Sequence, residues 1–345
     1  MNDPPVPAPP PPYLDPLRFR AVAGAIEAEI GKVIVGQREL VRTVLVCLFC
    51  EGHALLEGVP GLGKTQLLKT LSQAVHLEFS RVQFTPDLMP ADIVGTQVLE
   101  EDPASGRRGF HYRPGPVFAN LVLADEVNRA TPKTQSALLE AMQERTVTVA
   151  GETRLLPRPF FVMATQNPLE MEGTYPLPEA QLDRFLLKAL VPFPPAEDLL
   201  AVVARTTAAP PPAVTPVADA AVLASMIELT RSTPVAEHLL RHAVQLVLAT
   251  HPEQPAAPAE VKRYVRVGAS PRAAQALVLA AKASALLDGR PNVAAVDVRA
   301  MAAPALRHRL VLGYEAAADG VSADQLVEAV LRAVPDPPSG LRGAP

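Results

Sequence analysis

Residues 58–65 limit what this chain can fold into more than any other stretch, and they read Gly-Val-Pro-Gly-Leu-Gly-Lys-Thr. This fits the pattern G-x-x-x-x-G-K-[ST], in which a glycine-rich loop surrounds phosphate groups with backbone N–H groups. A short apolar run, residues 53–56, precedes the loop, and residues 65–74 carry apolar side chains at helical spacing. A strand, a glycine loop and a helix are the context that a phosphate site needs, because the positive end of the helix then faces the anion.

We therefore predict a nucleotide site in this loop. The alternative is an ordinary glycine-rich turn in which the lysine occurs by chance. Lys64 would reach the β- and γ-phosphates, and the hydroxyl of Thr65 would ligate Mg²⁺. The predicted nucleotide-binding residues are Gly58, Val59, Pro60, Gly61, Leu62, Gly63, Lys64, Thr65 and Gln66.

Composition places the chain among globular proteins with more than one domain. It has 345 residues, of which 48% are hydrophobic and 20% charged, with a net charge of −4. The acidic balance does not indicate nucleic acid or an anionic membrane as a partner, although a local basic patch stays open. The N-terminus does not have the order of a signal peptide, and no apolar run reaches the length of a membrane span, so we expect a cytoplasmic protein.

The two cysteines, Cys47 and Cys50, are spaced C-x-x-C within an apolar helical segment. A redox or half-zinc site would need this spacing, but the chain has no second C-x-x-C. We therefore predict two packed thiols on a helix.

Proline-rich stretches divide the chain. The first 16 residues hold eight prolines and predict a disordered or polyproline tail, with a Pro-binding partner left open. A Pro/Ala-rich stretch, residues 253–262, looks like an insertion. The predicted parts are a tail over 1–16, an α/β domain over 17–192, a linker over 193–218, a helical domain over 219–335 and a tail over 336–345.

An acidic pair follows a second buried strand. Leu121 to Ala124 is apolar and ends in Asp125 and Glu126, some 60 residues after the glycine loop. Asp125 would hold Mg²⁺ through water, and Glu126 would orient and polarise the attacking water. The alternative is an ordinary surface Asp-Glu.

Three further polar residues fall at informative places. Asn167 follows the strand 160–164 and would hydrogen-bond the γ-phosphate, or form a turn before Pro168. Arg184 lies in Asp-Arg-Phe, as a structural ion-pair residue or as a finger that enters a neighbouring subunit's site. Arg272 lies in the first turn of a helix opened by Ser-Pro, where cations are disfavoured unless an anion is near, or it is simply exposed.

Two hairpins interrupt the strand series. The first has arms at 96–99 and 110–112 around a polar tip, Glu100 to Gly109, which carries Arg107 and Arg108. That tip is a solvated loop or contacts a partner. The second spans 145–156 with a turn near Gly151.

The order of Lys64, Asp125–Glu126, Asn167, Arg184 and Arg272, followed by a helical domain, resembles the AAA+ ATPases. The two hairpins resemble the clade of that family with an insert in helix 2. Several strings resemble the MoxR family more closely, from about residue 25 to 335. They are residues 83–90, 115–130, 165–168, 173–185, 268–273 and 306–309.

The resemblance implies an α/β fold: a five-stranded parallel sheet in the order 5-1-4-3-2, flanked by helices and followed by a small α-helical lid. It also implies a ring, usually a hexamer, with ATP and Mg²⁺ between subunits. By that likeness Asp125 and Glu126 are the Walker B pair and Asn167 is sensor 1. Arg184 would be the arginine finger and Arg272 sensor 2, while Arg129 matches an interface position.

MoxR-like ATPases are thought to act as chaperone-like motors that remodel, or insert cofactors into, client complexes, often with von Willebrand A domain partners. No such domain is visible in this chain, so a partner chain would supply it. The alternatives are a motor subunit of a metal chelatase, a nucleotide-dependent binding scaffold and a DNA-processing role, which the net acidity disfavours. ATP rather than GTP follows from the likeness and from the absence of a Lys-x-Asp run.

Overall fold

The computed structural model describes residues 14–101, 108–168, 173–208 and 212–337. Most of the predicted N-terminal tail, the tip of the first hairpin with Arg107, and the C-terminal tail from residue 338 lie outside these ranges. Within them, the first helix begins at Pro16, earlier than expected, because the Asp15 carboxylate caps it by accepting the N–H of Arg18 at 2.7 Å.

Eleven strands occur in the described residues, and five of them form one parallel sheet. The strands are β1 (Ala54–Glu57), β2 (Phe79–Gln83), β3 (Gly95–Glu101), β4 (Arg108–Pro114), β5 (Leu121–Asp125), β6 (Thr146–Val149), β7 (Glu152–Leu155), β8 (Phe161–Gln166), β9 (Leu187–Leu190), β10 (Val265–Val267) and β11 (Val311–Leu312). The large sheet has the order β2-β5-β8-β1-β9, and all its neighbouring strands are parallel. Counted along the chain, this is 5-1-4-3-2, so the predicted topology is confirmed.

Fourteen α-helices surround the sheet or follow it in the described ranges. They are α1 (Pro16–Val33), α2 (Arg38–Phe49), α3 (Lys64–Ala74), α4 (Pro90–Val94), α5 (Pro132–Glu144), α6 (Glu179–Leu182), α7 (Ala196–Ala208), α8 (Ala220–Ser232), α9 (Glu237–Leu248), α10 (Ala259–Tyr264), α11 (Pro271–Leu287), α12 (Ala295–Leu306), α13 (Tyr314–Ala318) and α14 (Ala323–Ala333). The segment that we predicted as a linker contains α7. None of these helices is both long enough and apolar enough to cross a bilayer.

Alternation along the sheet strands separates two cores. In β5, Leu121 and Leu123 belong to the core that contains α1 to α3, whereas Val122 and Ala124 face the second core. Successive side chains of a strand point to opposite faces, so the unbroken apolar run from Leu121 to Ala124 indicates a sheet covered on both sides.

The first core continues without a break into the lid. Leu277, Ala280 and Leu306 of the lid belong to the same buried cluster as Leu56 of β1 and Phe49 of α2. The lid therefore packs directly on the α/β domain, with α11 contacting α1 and α2.

The lid differs from the predicted all-helical bundle in two ways. Strands β10 and β11 form a short antiparallel ribbon. The stretch 253–262, which looked like an insertion, packs within the lid: Ala257 and Val261 are buried in the main core and α10 begins at Ala259.

Two antiparallel hairpins leave the sheet, as predicted. Strand β3 pairs with β4, and β6 pairs with β7. The guanidinium of Arg154 on the second hairpin stacks over the ring of Tyr112 on the first, 3.9 Å from its centroid. This contact holds the hairpins side by side.

The two cysteines are packed thiols. Cys47 and Cys50 are buried and free, and burial raises the pKa of Cys50 to about 12 and that of Cys47 well above its ordinary value. A thiol with a raised pKa is a poor metal ligand and nucleophile, so the packing interpretation holds.

Candidate active site

The predicted phosphate and acidic residues meet at the carboxyl edge of the sheet. The glycine loop follows β1, Asp125 ends β5, and Asn167 follows β8, three adjacent parallel strands. They line one cleft of about 350 Å³, whose walls are Pro60, Gly61, Gly63, Lys64, Thr65, Gln66, Arg81, Gln83, Asp125, Glu126 and Asn167. Ligands of open parallel sheets bind at this edge, where strand order changes direction.

The glycines of the loop are required for two different reasons. Gly61 and Gly63 have φ of +82° and +77°, a region that favours glycine, and a Cβ on either would enter open space. Gly58 has no room for a side chain, because a Cβ there would lie 2.8 Å from the backbone oxygen of Val191. The open side of the loop is therefore lined by backbone, as a phosphate cradle needs.

Lys64 is held at the start of α3. It is buried, and its Nζ donates to the backbone oxygen of Gly58 at 2.6 Å. Burial lowers the pKa of Lys64, while the nearby carboxylates of Asp125 and Glu126 act in the opposite direction. This arrangement keeps one cation inside the loop, beside the two acids.

Asp125 is oriented by a buried hydroxyl and by a cation. Its Oδ1 accepts a hydrogen bond from Thr165 Oγ1 at 2.7 Å, and its Oδ2 pairs with Arg81 at 2.7 Å. Thr165 lies on the neighbouring strand β8 and is fully buried.

Glu126 has an unusual backbone. Its φ of +56° and ψ of 51° are left-handed, which costs a residue with a Cβ roughly 1–2 kcal/mol. The backbone N–H of Glu126 donates to Thr165 Oγ1 at 2.8 Å, and its Oε2 accepts from Gln83 Nε2 at 2.8 Å and from Arg129 at 3.0 Å. Strain of this kind concentrates at functional sites, where surrounding bonds hold it.

The segment before α2 contacts the loop. Gln37 donates from Nε2 to the backbone oxygen of Leu62 at 3.2 Å. Val35 and Gly36 line a separate cleft of about 650 Å³ with residues of α1 and α2. The hydrogen bond of Gln37 places this segment beside the glycine loop.

Arg184 and Arg272 are not in the carboxyl-edge cleft. They line a second cleft of about 270 Å³, together with Glu51 and His53, which directly precede β1. Since Arg184 precedes β9, both arginines lie at the amino edge of the sheet, opposite the glycine loop. Arg184 is half-buried, and within the described residues no carboxylate pairs with it.

Five residues that contact the predicted site residues or the glycine loop were not themselves predicted as site residues. Arg81, Gln83 and Thr165 contact the two acids, Asp183 contacts Arg272, and Gln37 contacts the loop. Arg81 and Gln83 alternate on a strand beside the acidic strand, and this is the one signal in the sequence that could have indicated them.

Comparisons with known proteins agree with this geometry. Residues 53–187 match the model of the ATPase family associated with various cellular activities (AAA), and residues 257–330 match the AAA lid domain. The chain is 45% identical to Chaperone MoxR1 of Mycobacterium tuberculosis, covering 89% of this chain and 80% of that protein. It belongs to the MoxR family of AAA+ ATPases.

Further relatives cover nearly the whole MoxR-type chain. Protein MoxR of Paracoccus denitrificans is 33% identical over 90% of this chain and 95% of its own length. A solved structure of an ATPase candidate from Cytophaga hutchinsonii is 40% identical, superposes with a TM-score of 0.87 and covers 93% of this chain and 97% of that one. The lid match begins at residue 257, so part of the stretch that looked like an insertion belongs to the family's lid.

Proposed function

We propose that this MoxR-type chain hydrolyses ATP with Mg²⁺ and uses the turnover to remodel a partner protein complex. The observation that carries the proposal is the carboxyl-edge cleft, where Lys64, Asp125, Glu126 and Asn167 converge. Phosphoryl transfer to water requires a cation that binds the phosphates and carboxylates that hold the metal ion and the water, and this cleft contains both.

The cleft fits a nucleoside triphosphate with Mg²⁺. The open backbone of the loop and Lys64 would bind the phosphates, and Thr65 and Asp125 would hold the metal ion. Mg²⁺ supplies charge neutralisation on the phosphate oxygens when it is bound.

Glu126 would orient and polarise the attacking water. Its carboxylate is held by Gln83 and Arg129, so it faces the cleft in a fixed position. Asn167, which is buried at the end of β8, would hydrogen-bond the γ-phosphate. Val35 and Gly36 would enclose the purine base, while the choice of ATP rests on the family resemblance.

The positions of Arg184 and Arg272 support a ring. Both lie at the edge of the sheet that is remote from Lys64 of the same chain, so neither is placed to contact a phosphate held there. In a ring, the amino-edge cleft of one copy would face the carboxyl-edge cleft of the next, and both cations would then reach the neighbour's nucleotide. A finger of this kind contributes about 10³–10⁵ in rate.

The remodelling role rests on the relatives and on exposed apolar side chains. One relative is named a chaperone. On the hairpins, Leu99, Phe110 and Leu155 are more than half exposed, and Leu99 pairs directly with Phe110 across β3 and β4. We propose that this surface contacts the client, with a von Willebrand A domain protein as partner and the ring, of hexamer type, in the cytoplasm.

The decisive experiment separates nucleotide binding from turnover. Glu126→Gln should bind ATP with unchanged affinity and hydrolyse it at least about 100-fold more slowly, because only the water-activating group is lost. Lys64→Ala should lose binding and turnover together. Normal hydrolysis by Glu126→Gln, with the exposed Glu237→Gln as control, would contradict the catalytic assignment.

The same variant serves to identify the client. A Glu126→Gln ring would hold ATP and its client, so affinity capture followed by mass spectrometry should recover specific proteins that the Lys64→Ala variant does not retain. Wild-type turnover that is unchanged when those proteins are added would favour a binding scaffold over a motor.

A further inference from the structure

Asp183 lies where the lid meets the α/β domain. It directly precedes Arg184 and follows α6, and its side chain is 17% exposed. Asp183 is therefore a largely buried acid that lines the amino-edge cleft together with several arginines.

Within the part of the chain that the structure describes, the side-chain partners of Asp183 come from the lid. Its Oδ1 accepts from Arg309 Nε at 2.8 Å, and its Oδ2 accepts from Ser270 Oγ at 2.8 Å. The Nε of Arg272 lies 3.9 Å from the same Oδ2. The carboxylate of Asp183 thus ties two separate lid segments, at Ser270 and at Arg309, to the chain directly before Arg184.

Ser270 transmits this link to the helix that carries Arg272. It is the N-cap of α11, and its Oγ accepts the backbone N–H of Arg272 at 3.1 Å. The same hydroxyl donates to Asp183, so both of its hydrogen-bonding functions are used. The first turn of α11 is consequently fixed relative to Asp183.

Arg309 holds Asp183 from the second lid segment. Its side chain is 3% exposed, and its Nη2 donates to the backbone oxygen of Phe185 at 2.6 Å. A buried guanidinium needs a charged partner, and Asp183 provides it. Arg272, whose side chain is 47% exposed, makes the longer contact and stays accessible to a second anion.

We infer that Asp183 is a positioning residue that sets the spacing between Arg184 and Arg272, so that the two cations act together on one nucleotide of an adjoining copy. Arg184 is fixed by its place beside Asp183 in the chain, since consecutive Cα atoms are about 3.8 Å apart. Arg272 is fixed through Ser270 and the helix start. The inference rests on the proposed function, in which these arginines act across the seam of a ring.

The test is Asp183→Asn, alone and mixed with Glu126→Gln subunits. Alone, the variant should lose about tenfold or more of its ATP turnover, with its affinity for ADP and its assembly unchanged. Mixed rings should recover turnover. At some subunit interfaces of a mixed ring, an Asp183→Asn subunit supplies an intact Glu126 and its neighbour, a Glu126→Gln subunit, supplies an intact Asp183. Turnover should return at those interfaces. A role of Asp183 within its own subunit's site, or in folding alone, gives no recovery.

One further mixture, compared with the first, separates the inference from the proposed function. Arg184→Ala mixed with Glu126→Gln should recover turnover if the finger acts across the seam. Recovery there, without recovery for Asp183→Asn, overturns the positioning role alone. Absence of recovery in both mixtures, with mixed rings shown by native mass spectrometry, overturns the seam and the inference with it.

The matched control is Asp319→Asn. Asp319 accepts from Arg263 at 2.8 Å and from Tyr264 at 2.9 Å within the lid, so its loss should leave turnover unchanged. Should Asp183→Asn fail to fold, Ser270→Ala keeps the pair of Asp183 with Arg309 and removes the link to α11 together with the N-cap hydrogen bond of that helix. It should show a smaller loss and the same recovery on mixing, and normal turnover by Ser270→Ala would overturn the inference.

Discussion

The guanidinium of Arg81 lies against the carboxylate of Asp125, with Nη2 2.7 Å and Nε 3.2 Å from Oδ2. Arg81 is on β2, beside the strand that ends in Asp125. Its Nη2 also donates to Oε1 of Gln83 at 2.7 Å, and Gln83 in turn donates to Glu126. Two side chains of one strand therefore cover both acids of the proposed magnesium and water site.

This contact predicts that Arg81 competes with Mg²⁺ for Asp125. Arg81→Ala should raise the apparent affinity for Mg²⁺ in the presence of ADP, because it removes a cation from the carboxylate. Since the Arg81 side chain is 46% exposed, we expect about 1 kcal/mol, or roughly fivefold. The measurement is a Mg²⁺ titration followed by a fluorescent ADP analogue.

Arg241→Ala is the matched control, because Arg241 pairs at 2.6 Å with an exposed glutamate, Glu237, on the lid. Mg²⁺ affinity that stays constant or falls in Arg81→Ala, with ADP affinity preserved, would show that Arg81 does not compete with the metal ion.

The hydrogen bonds of Thr165 lead to a second prediction, about the orientation of Asp125 and Glu126. Its hydroxyl donates to Asp125 and accepts the backbone N–H of Glu126, so Thr165→Val removes both bonds and keeps the side-chain shape. A hydrogen bond to a charged group is worth about 1.5–3 kcal/mol, which corresponds to roughly 10- to 100-fold in turnover when it is lost. Steady-state kinetics should show the loss in kcat, with KM for ATP little changed.

Thr165→Ser is the control for this prediction, because it retains the hydroxyl and should keep most of the activity. Equal activity of the valine and serine variants would mean that the hydroxyl does not orient the acids.

The sequence predicted the strand order and the carboxyl-edge cleft because the relevant signals are local. Lys64, Asp125 and Asn167 each follow an apolar strand, and parallel strands bring their ends together at one edge. The resemblance of these motifs to a known family supplied the order of the strands.

The contacts between distant segments could not be predicted. Arg309 and Asp183 are 126 residues apart, and Arg81 and Asp125 are 44 apart. Periodicity shows which face of a helix is buried, but it does not show which segment covers that face. For the same reason the packing of Ala257 and Val261 against the core could not be predicted, because the Pro/Ala-rich composition of residues 253–262 suggested an insertion and does not show which segment covers it.

The contacts of the buried Asp297 carboxylate lead to a prediction about the free energy of unfolding. Its side chain is 2% exposed, both of its oxygens accept from Arg290 at 2.6 Å, and the N–H of Ala294 donates to it at 2.8 Å. Asp297→Ala removes two charge-assisted hydrogen bonds and leaves the N–H of Ala294 without its acceptor, while Arg290 stays one-third exposed and paired with Asp288 at 2.9 Å. The variant should therefore lower the free energy of unfolding by about 1.5–3 kcal/mol. Urea denaturation followed by circular dichroism measures the change.

The comparison for Asp297 is Glu237→Ala. Glu237 pairs with Arg241, but both side chains are about three-quarters exposed, so its loss should cost less than about 1 kcal/mol. Similar losses in the two variants would contradict the importance of burial for the Asp297 pair.

The buried His53 leads us to expect that the free energy of unfolding decreases in mild acid. Its Nδ1 accepts the N–H of Val162 at 3.0 Å, so Nε2 carries the proton and donates to the backbone oxygen of Met142 at 3.1 Å. The ring is buried and neutral, and burial lowers the pKa of His53 from 6.5 to about 4. The buried His308, whose pKa is also lowered, acts in the same direction.

The unfolded chain binds a proton at His53 as pH falls below 6.5, whereas the folded chain does so only near pH 4. The free energy of unfolding should therefore be highest above pH 6.5 and fall by about 3 kcal/mol toward pH 4 on account of His53. His53→Gln should be less stable at neutral pH but should show a shallower decline, whereas the exposed His238→Gln should follow the wild type. Urea midpoints measured across this range test the prediction, and parallel curves for His53→Gln and wild type would refute it.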